Sequence, residues 1–546
     1  MDRKVADLFV DCLIEEGVEF IFGLPGEENI DFVEALNGRP IRFILTRHEQ
    51  GASFMADIYG RLTRKAGVCL ATLGPGAINL TLGAADAQLD SSPLVAIAGQ
   101  ASRNRIFKEF HQYIDLLELF RPITKWGGRI MLPETTPEVI RKAFKVAGTE
   151  RPGATLIVLP EDVAAEETDS KPIPAAFARP TEPNLNQVAR AVELLKESKN
   201  PVVLAGHGVC RSKASEALTA FAEKLGIPVV TTFMAKGVIP YDSEYHLGAI
   251  GFMKYDYVNL GLDKADTVIA VGYDIIEYPA EKWNPEFNKN IIHIHTGVAE
   301  VDQAYSVDIG IQGDISLALK AIASNFEAKL TTGNYHSSIK KLLEEEMVRY
   351  AGEKHFPVKP QQLVAATRAA LDKDDIVLCD TGALKMWMAR LFPCYYPDTC
   401  LFSNGLGTMG FAVPGALAAK LVHPEKAVVA VTGDGSFLMN SQELETAKRE
   451  NIPFVVLIWK DSRYGLIEWK QNLKFGHRSF VSFDNPDFVK YAESFGIKGY
   501  SIKSADEITP VLRQAIANNE LAVIECEVDY SENTALTDKL GTIVPF

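Results

Sequence analysis

The chain has 546 residues, of which 47% are hydrophobic and 23% charged; at roughly 150 residues per domain this is too long for one core and fits three. Lys plus Arg total 56 against 71 Asp plus Glu, a formal charge of -15 that disfavours nucleic acid as a partner, and no run of 18 apolar residues offers a membrane span. Seven cysteines, at 12, 69, 210, 379, 394, 400 and 526, are odd in number and form no CxxC pair, so they read as buried thiols of a cytoplasmic protein and not as a disulfide framework or zinc site.

The N-terminus, Met1-Asp2-Arg3-Lys4-Val5-Ala6-Asp7, enters an amphipathic helix instead of a signal peptide. From Arg3 to about Asp162, strand-like runs (Phe20 to Gly23, Phe43 to Leu45, Val68 to Thr72, Leu94 to Ala98, Thr155 to Leu159) alternate with helical stretches, which is doubly wound α/β patterning. Ala164 to Pro183 collects Glu, Pro, Ala and Lys without periodicity and reads as a linker. A second α/β block, Asn186 to about Phe326, has strands at Val202 to Ala205, Val229 to Thr231, Thr267 to Val271 and Ile291 to His295, and a further break falls in Leu330 to Pro360. The last block carries Asp375 to Cys379, Ala427 to Thr432, Phe454 to Trp459 and Ala522 to Val528 as strands. The expected fold is therefore α/β, with three doubly wound parallel-sheet domains over 1–165, 186–328 and 358–546, and no repeat is visible in the sequence.

Several turns carry candidate chemistry. In Leu45-Thr46-Arg47-His48-Glu49, Glu49 follows a strand and opens an apolar helix, a place where the dipole favours a carboxylate. Leu73-Gly74-Pro75-Gly76-Ala77-Ile78-Asn79 is a strand-to-helix turn whose glycines admit close backbone approach. In Val431-Thr432-Gly433-Asp434-Gly435-Ser436, the glycines turn the chain tightly after a strand, and Asn440 with Glu443 resembles a capping box opening the next helix. Asp434 and Asp461 stand 27 residues apart, each just past the carboxyl end of a strand, where open parallel sheets place ligands. That spacing suits two oxygen ligands for one hard cation, with the Arg463 carbonyl as a third; magnesium prefers such sites and keeps phosphate oxygens as further ligands.

This frame resembles the thiamine diphosphate signature, a GDG followed after about 27 residues by a metal-binding Asn or Asp, with Asp461 standing where Asn is commoner. The resemblance implies bound thiamine diphosphate and Mg2+, with Asp434, Asp461 and Arg463 as metal ligands. It also implies that Glu49, in another domain, hydrogen-bonds the aminopyrimidine ring nitrogen and so activates the cofactor. Pro25, Gly26, Gly74 and Asn79 would line the pyrimidine side, and Gly382, Ala383 and Leu384, with Gly433, Gly435 and Ser436, would hold the diphosphate. Within Ser403-Asn404-Gly405-Leu406-Gly407-Thr408-Met409-Gly410, Met409 would wedge between the two cofactor rings, next to Gly407; Tyr464 and Gly465 join this set. Where the family often has Gln-His or Ser-His in the diphosphate loop, this chain has Ala383-Leu384, leaving backbone amides and Ser436 for the anion.

Phe110-His111-Gln112-Tyr113-Ile114-Asp115 narrows the resemblance, because decarboxylases of the superfamily show two adjacent histidines there to protonate the enamine, whereas His111 precedes Gln112 here. That pair is similar to acetolactate synthases, in particular the FAD-independent catabolic type. So are Gly272-Tyr273-Asp274-Ile275-Ile276-Glu277-Tyr278, Trp459-Lys460-Asp461 and Val528-Asp529-Tyr530-Ser531-Glu532-Asn533. The implied reaction is decarboxylation of pyruvate and joining of the hydroxyethyl carbanion to a second pyruvate, giving 2-acetolactate and CO2. Glu49, His111 and Gln112 are the catalytic candidates, and Leu466, Trp469 and Lys470 stand on the substrate side. Lys470 fits neither the Trp of the biosynthetic nor the Gln of the catabolic pattern at that offset, and Glu27 with Glu28 near the substrate channel matches neither type. The implied partners are a 2-oxo acid substrate and a second copy of the chain, in a homodimer or homotetramer with active sites between subunits; FAD is not expected. The rival readings are a biosynthetic, FAD-containing acetohydroxyacid synthase catalytic subunit, and an oxidase or decarboxylase acting on a 2-oxo acid.

Overall fold

The computed structural model describes residues 3–176, 181–251, 256–330 and 335–533. The start Met1-Asp2, residues 177–180 of the linker, 331–334 of the second break and 534–546 of the last span lie outside the described residues. The expected N-terminal helix is Val5–Glu15, and its apolar face is fully buried. All seven cysteines are buried and free.

Three six-stranded parallel sheets organise the chain. The first contains β1 (Phe20–Gly23), β2 (Arg42–Leu45), β3 (Gly67–Ala71), β4 (Leu94–Gln100), β5 (Trp126–Arg129) and β6 (Ala154–Pro160), in the order β2-β1-β3-β4-β6-β5. The second contains β7 (Pro201–Ala205), β8 (Val229–Thr231), β9 (His246–Ala249), β10 (Thr267–Val271), β11 (Asn290–His295) and β12 (Ile309–Gln312), in the order β9-β8-β7-β10-β11-β12. The third contains β13 (Ile376–Cys379), β14 (Cys400–Phe402), β15 (Val428–Gly433), β16 (Val455–Lys460), β17 (Lys498–Ile502) and β18 (Ala522–Glu527), in the order β14-β13-β15-β16-β18-β17. Central strands such as Val428–Gly433 and Val455–Lys460 are apolar along nearly their whole length because helices cover both faces of a parallel sheet.

The described residues group into two compact units. One is formed by the described residues up to 176 with Gly405–Glu425 and Phe437–Pro453, and the other by those between 181 and 404 with Lys426–Ser436 and those from 454 to 533. The first sheet belongs to the former and the second and third sheets to the latter. The helices Ala412–Val422 and Glu443–Arg449, which follow the third sheet's early strands in the chain, thus group with the first sheet.

Within the first unit, the helices Glu49–Thr63 and Pro75–Leu89 touch through small residues, since a Cβ at Gly83 would lie 2.2 Å from the Ser53 Oγ; a Cβ at Gly60 would lie 2.3 Å from the Pro93 carbonyl oxygen in the segment after the second helix. Behind that contact, the fully buried guanidinium of Arg61 donates to Asp57 at 2.6 Å, Asp90 at 2.9 Å and Asp86 at 3.2 Å. Asp90 also accepts from the Gly405 N–H at 2.6 Å and Asp86 from the Thr408 hydroxyl at 3.3 Å, so the cluster anchors the loop that carries Met409. Arg61→Ala would strand three carboxylates in the interior, and breaking such a buried ionic network costs about 3–5 kcal/mol. The expected result is a marked fall in the unfolding midpoint in a denaturant titration.

Candidate functional site

The loops at the carboxyl ends of the first sheet collect one constellation. Glu49 is the first residue of its helix, with His48 as the N-cap whose Nδ1 accepts from the Gln50 N–H at 3.1 Å. The Glu49 side chain is half-buried, and its Oε2 accepts from the Asn79 Nδ2 at 2.9 Å. A Cβ at Gly76 would come within 3.2 Å of Glu49 Oε1, and one at Gly74, where φ is +48°, within 2.4 Å of the Gln112 carbonyl oxygen. Gln112 itself adopts φ +58° and is exposed, as is His111. Pro25 and Gly26 follow β1; a Cβ at Gly26 would strike Thr72 at 2.5 Å, and the Gly26 N–H donates to Asn29 Oδ1 at 2.8 Å. Of the two acids there, Glu27 is exposed and Glu28 accepts from the Thr72 hydroxyl at 2.6 Å. Gly407 and Met409 also belong to this unit, Gly407 at φ +68° and Met409 half-buried.

The third sheet collects the other constellation. Asp434, 1% exposed, opens a helix directly after β15. Its Oδ1 accepts from the Gly435 N–H at 2.9 Å, and its Oδ2 from the N–H groups of Asp461 at 3.1 Å and Ser462 at 2.6 Å and from Asn485 Nδ2 at 2.8 Å. Asp461 follows β16, the strand hydrogen-bonded to β15. Burial, with the Asp434 charge second, pushes the Asp461 carboxyl up to about 8. The Arg463 guanidinium turns away to Glu468 at 3.2 Å, and its carbonyl accepts from the Gly465 N–H at 3.0 Å, which leaves that oxygen one lone pair. Gly465 must lack a side chain, since a Cβ would lie 2.8 Å from Asp461 Oδ2. Tyr464, whose ring centroid lies 5.0 Å from that of Phe483, packs against Gly435.

The residues expected to face a diphosphate also meet here. Gly382 precedes the helix Ala383–Leu391 without any side-chain cap, Ser436 Oγ donates to the Thr381 carbonyl at 3.2 Å, and Leu384 packs between Gly382 and Gly433. The buried Thr381 hydroxyl has no partner among the described residues. An uncapped helix start beside an unsatisfied hydroxyl fits an anion, and two oxygen-rich acids beside it fit a hard cation, so the donor set suits a metal diphosphate. Asp461 and Trp469 line a cavity of about 710 Å³ together with Arg463, Glu468 and Tyr530, whereas Leu466 is not part of that lining and packs against the core of the third sheet. Trp469 is buried at 4% exposure, whereas the adjacent Lys470 is exposed and is not part of the cavity lining.

Three residues of these constellations escaped the sequence reading. Asn485, in a turn-like Asp484-Asn485-Pro486-Asp487 run, reaches back to Asp434, and Thr381 lies inside a loop read only for its backbone. Glu443 does not form the expected capping box with Asn440: Asn440 Nδ2 donates to the Gly410 carbonyl at 2.7 Å, and the Glu443 carboxylate instead accepts from the N–H groups of Arg47 and His48. Asn440 ends one helix and Glu443 begins another, so the two are not in capping register.

The second sheet has a polar cluster of its own at its strand-order reversal, between β7 and β10. Glu277 accepts from the His207 N–H at 3.0 Å, the Asp274 N–H at 3.2 Å and the Thr232 hydroxyl at 2.5 Å, and desolvation, with Asp274 second, pushes its carboxyl up to about 8.

Comparison with known proteins gives a consistent pattern. Models of the thiamine pyrophosphate enzymes match in three parts: the N-terminal TPP binding domain over residues 3–119, the central domain over 188–322 and the C-terminal TPP binding domain over 380–526. An acetolactate synthase of Bacillus subtilis is 38% identical over 98% of this chain and 95% of its own. A probable acetolactate synthase large subunit of Methanocaldococcus jannaschii is 40% identical over 97% and 92%, and a catabolic acetolactate synthase of Raoultella terrigena 32% identical over 98% and 97%.

The Asp434 and Asp461 pair yields a test on the metal-free protein. An acid whose folded pKa lies above its unfolded value near 3.8 contributes stability that is complete below that pH and is lost as pH rises towards 8. Asp461→Asn should therefore melt above the wild type in EDTA at about pH 9, with the gap closing towards about pH 5. Thermal scans at the two pH values check it.

Proposed function

The chain belongs to the thiamine pyrophosphate-dependent acetolactate synthase family, and on that premise we propose that it joins two molecules of pyruvate into 2-acetolactate with loss of CO2. When bound, thiamine diphosphate supplies the electron sink for that decarboxylation. The observation that carries the reading is the placement of Asp434 and Asp461 at the ends of two adjacent parallel strands, beside an uncapped helix start. Asp434, Asp461 and the Arg463 carbonyl would hold Mg2+, and the amides around Gly382 and Ala383, with Ser436, would hold the diphosphate. Glu49, steadied by Asn79, would hydrogen-bond the pyrimidine ring and manage its proton. His111 and Gln112 would face the substrate without a second histidine to quench the nucleophilic carbon by protonation, and Met409 would support the bent cofactor.

The finer readings rest on particular features. Parallel-sheet domains over 1–165, 186–328 and 358–546 accord with the spans of the three matched models. Operation without FAD is supported by the second sheet, where the amides at the strand-order reversal already serve the Glu277 carboxylate. Oligomeric assembly is supported by relatives described as large subunits, and a homodimer or homotetramer with active sites between subunits is the form proposed. A cytoplasmic location accords with the finding that no helix among the described residues is long and apolar enough to cross a membrane.

Purified protein supplied with thiamine diphosphate, Mg2+ and pyruvate should form acetolactate and show no flavin absorption band. Acetaldehyde as the only product would overturn the synthase reading. Glu49→Gln should slow exchange of the bound cofactor's C2 proton by about a hundredfold or more, the scale of a lost general acid or base, while Mg2+ affinity stays near that of the wild type; unchanged exchange, followed by NMR, would remove Glu49 from its role.

A further inference from the structure

Glu443 is fully buried, yet among the described residues no cationic side chain meets its carboxylate at hydrogen-bonding distance. Both oxygens accept from the Arg47 N–H at 3.2 Å, Oε1 accepts from the His48 N–H at 3.0 Å, and Oε2 accepts from the Thr446 hydroxyl at 2.7 Å. These two amides belong to the turn that ends in Glu49. The helix behind that turn allows the approach only because residue 51 is glycine: a Cβ there would lie 2.6 Å from Glu443 Oε1. The remainder of the Glu443–Arg449 helix is tied to β2 separately, through Arg449 to the Leu45 carbonyl and through Glu450 to Arg42 at 2.7 Å. Docking of the helix therefore has anchors other than Glu443, and the carboxylate has a narrower task.

We propose that Glu443 is a positioning residue for Glu49, its buried carboxylate fixing the Arg47–His48 peptides and thereby the direction in which Glu49 leaves the turn. The inference rests on the role given to Glu49 above. Charge-assisted bonds from peptide N–H groups are short-ranged and directional, so two of them onto consecutive amides leave the turn one orientation. The desolvation that pushes the Glu443 carboxyl up to about 7 is what such a placement costs. The group is surrounded by Arg47 and His48 from the turn and by Glu445 and Thr446 from its own helix. A glutamine at this position either keeps its oxygen at the Oε1 place and turns its amide nitrogen onto the Arg47 N–H, or reverses and loses the His48 acceptor, so each orientation sets a donor against a peptide donor and removes the charge.

The test uses Glu443→Gln and Gly51→Ala, with Glu49→Gln as reference. Gly51→Ala perturbs the same carboxylate from the opposite side while improving helix propensity, so it remains informative should Glu443→Gln fold poorly. In the protein without cofactor, amide hydrogen exchange of the peptide spanning Thr46 to Gln50 should quicken about tenfold in both variants, the scale of one lost charge-assisted hydrogen bond. In the complete enzyme, kcat for acetolactate should fall about a hundredfold with KM for pyruvate nearly unchanged, as expected for a misplaced catalytic group and not for lost substrate binding. Wild-type exchange and wild-type kcat in both variants would overturn the proposal, as would a loss of kcat matched by an equal rise in KM. Full activity in Glu49→Gln would instead overturn the role of Glu49, and the amide exchange would still decide whether Glu443 holds the turn.

Discussion

Carboxylates withdrawn from water and held by peptide N–H groups, with no cationic side chain as principal partner, recur at the strand ends of this protein, and the chemistry of each site follows from how that charge is satisfied. Glu443 takes the amides of Arg47 and His48, Glu277 those of His207 and Asp274, and Asp434 those of Gly435, Asp461 and Ser462. Amides that would otherwise end a strand unpaired gain an acceptor, and the acid gains directional donors at the expense of its hydration. The expense is visible where burial pushes Glu443 up to about 7 and Glu277 up to about 8. Arg61 shows the alternative, a buried cation shared among three aspartates, and it serves packing between helices.

The strand orders explain why these groups lie where they do. The first and third sheets have the same order when their strands are numbered within each sheet, second-first-third-fourth-sixth-fifth, while the second sheet runs third-second-first-fourth-fifth-sixth. Each order reverses beside the first strand of its sheet, and the loops leaving the two strands at that reversal diverge to opposite faces and open a crevice. In the first sheet those loops carry Pro25–Gly26 and Thr72–Gly74; in the second, Gly206–His207 and Gly272–Glu277; in the third, Thr381–Gly382 and Gly433–Asp434. The duplication of topology between the first and third sheets leaves no trace in the amino-acid sequence, because a sheet of this kind needs only apolar runs at suitable intervals and tolerates any Val, Ile, Leu or Ala within them.

What could be read from residues, and what could not, divides along physical lines. Within the three six-stranded sheets, the five strands that escaped the sequence reading, Trp126–Arg129, His246–Ala249, Ile309–Gln312, Cys400–Phe402 and Lys498–Ile502, are all edge strands. An edge strand is covered less completely and keeps polar or glycine positions, as in the exposed Gly310 and Gln312, so its apolar run is broken or short. The places of Glu49, Asp434 and Asp461 just past strand ends were legible because their signals are local: a strand, a tight turn and, for Glu49 and Asp434, a helix start within a few residues. Asn485 and Glu443 were not, since their partners stand 51 and about 396 residues away and only the fold brings them together. The offset that singled out Lys470 is likewise a linear measure, and the helix there turns Trp469 inward and Lys470 to solvent.

The crevices of the second and third sheets show how one device gives opposite outcomes. In the second, the chain supplies its own anion: Glu277 reaches the amides beyond β7 and β10 and also takes the Thr232 hydroxyl, so the donors at the reversal are spent internally. In the third, the acid lies on the other side of the crevice. Asp434 uses the amides past β15 and β16, while among the described residues the helix start at Gly382 across the reversal has no side-chain cap and the Thr381 hydroxyl beside it has no partner. That crevice therefore has surplus donors on one wall and surplus negative charge on the other, the latter felt by Asp461 as repulsion from Asp434. Among the described residues the two walls do not cancel each other's surplus, because both are fixed by adjacent strands of one sheet. A ligand that brings an anion and a hard cation together resolves both at once, which is why a metal diphosphate suits this crevice and the filled one in the second sheet offers it no comparable place.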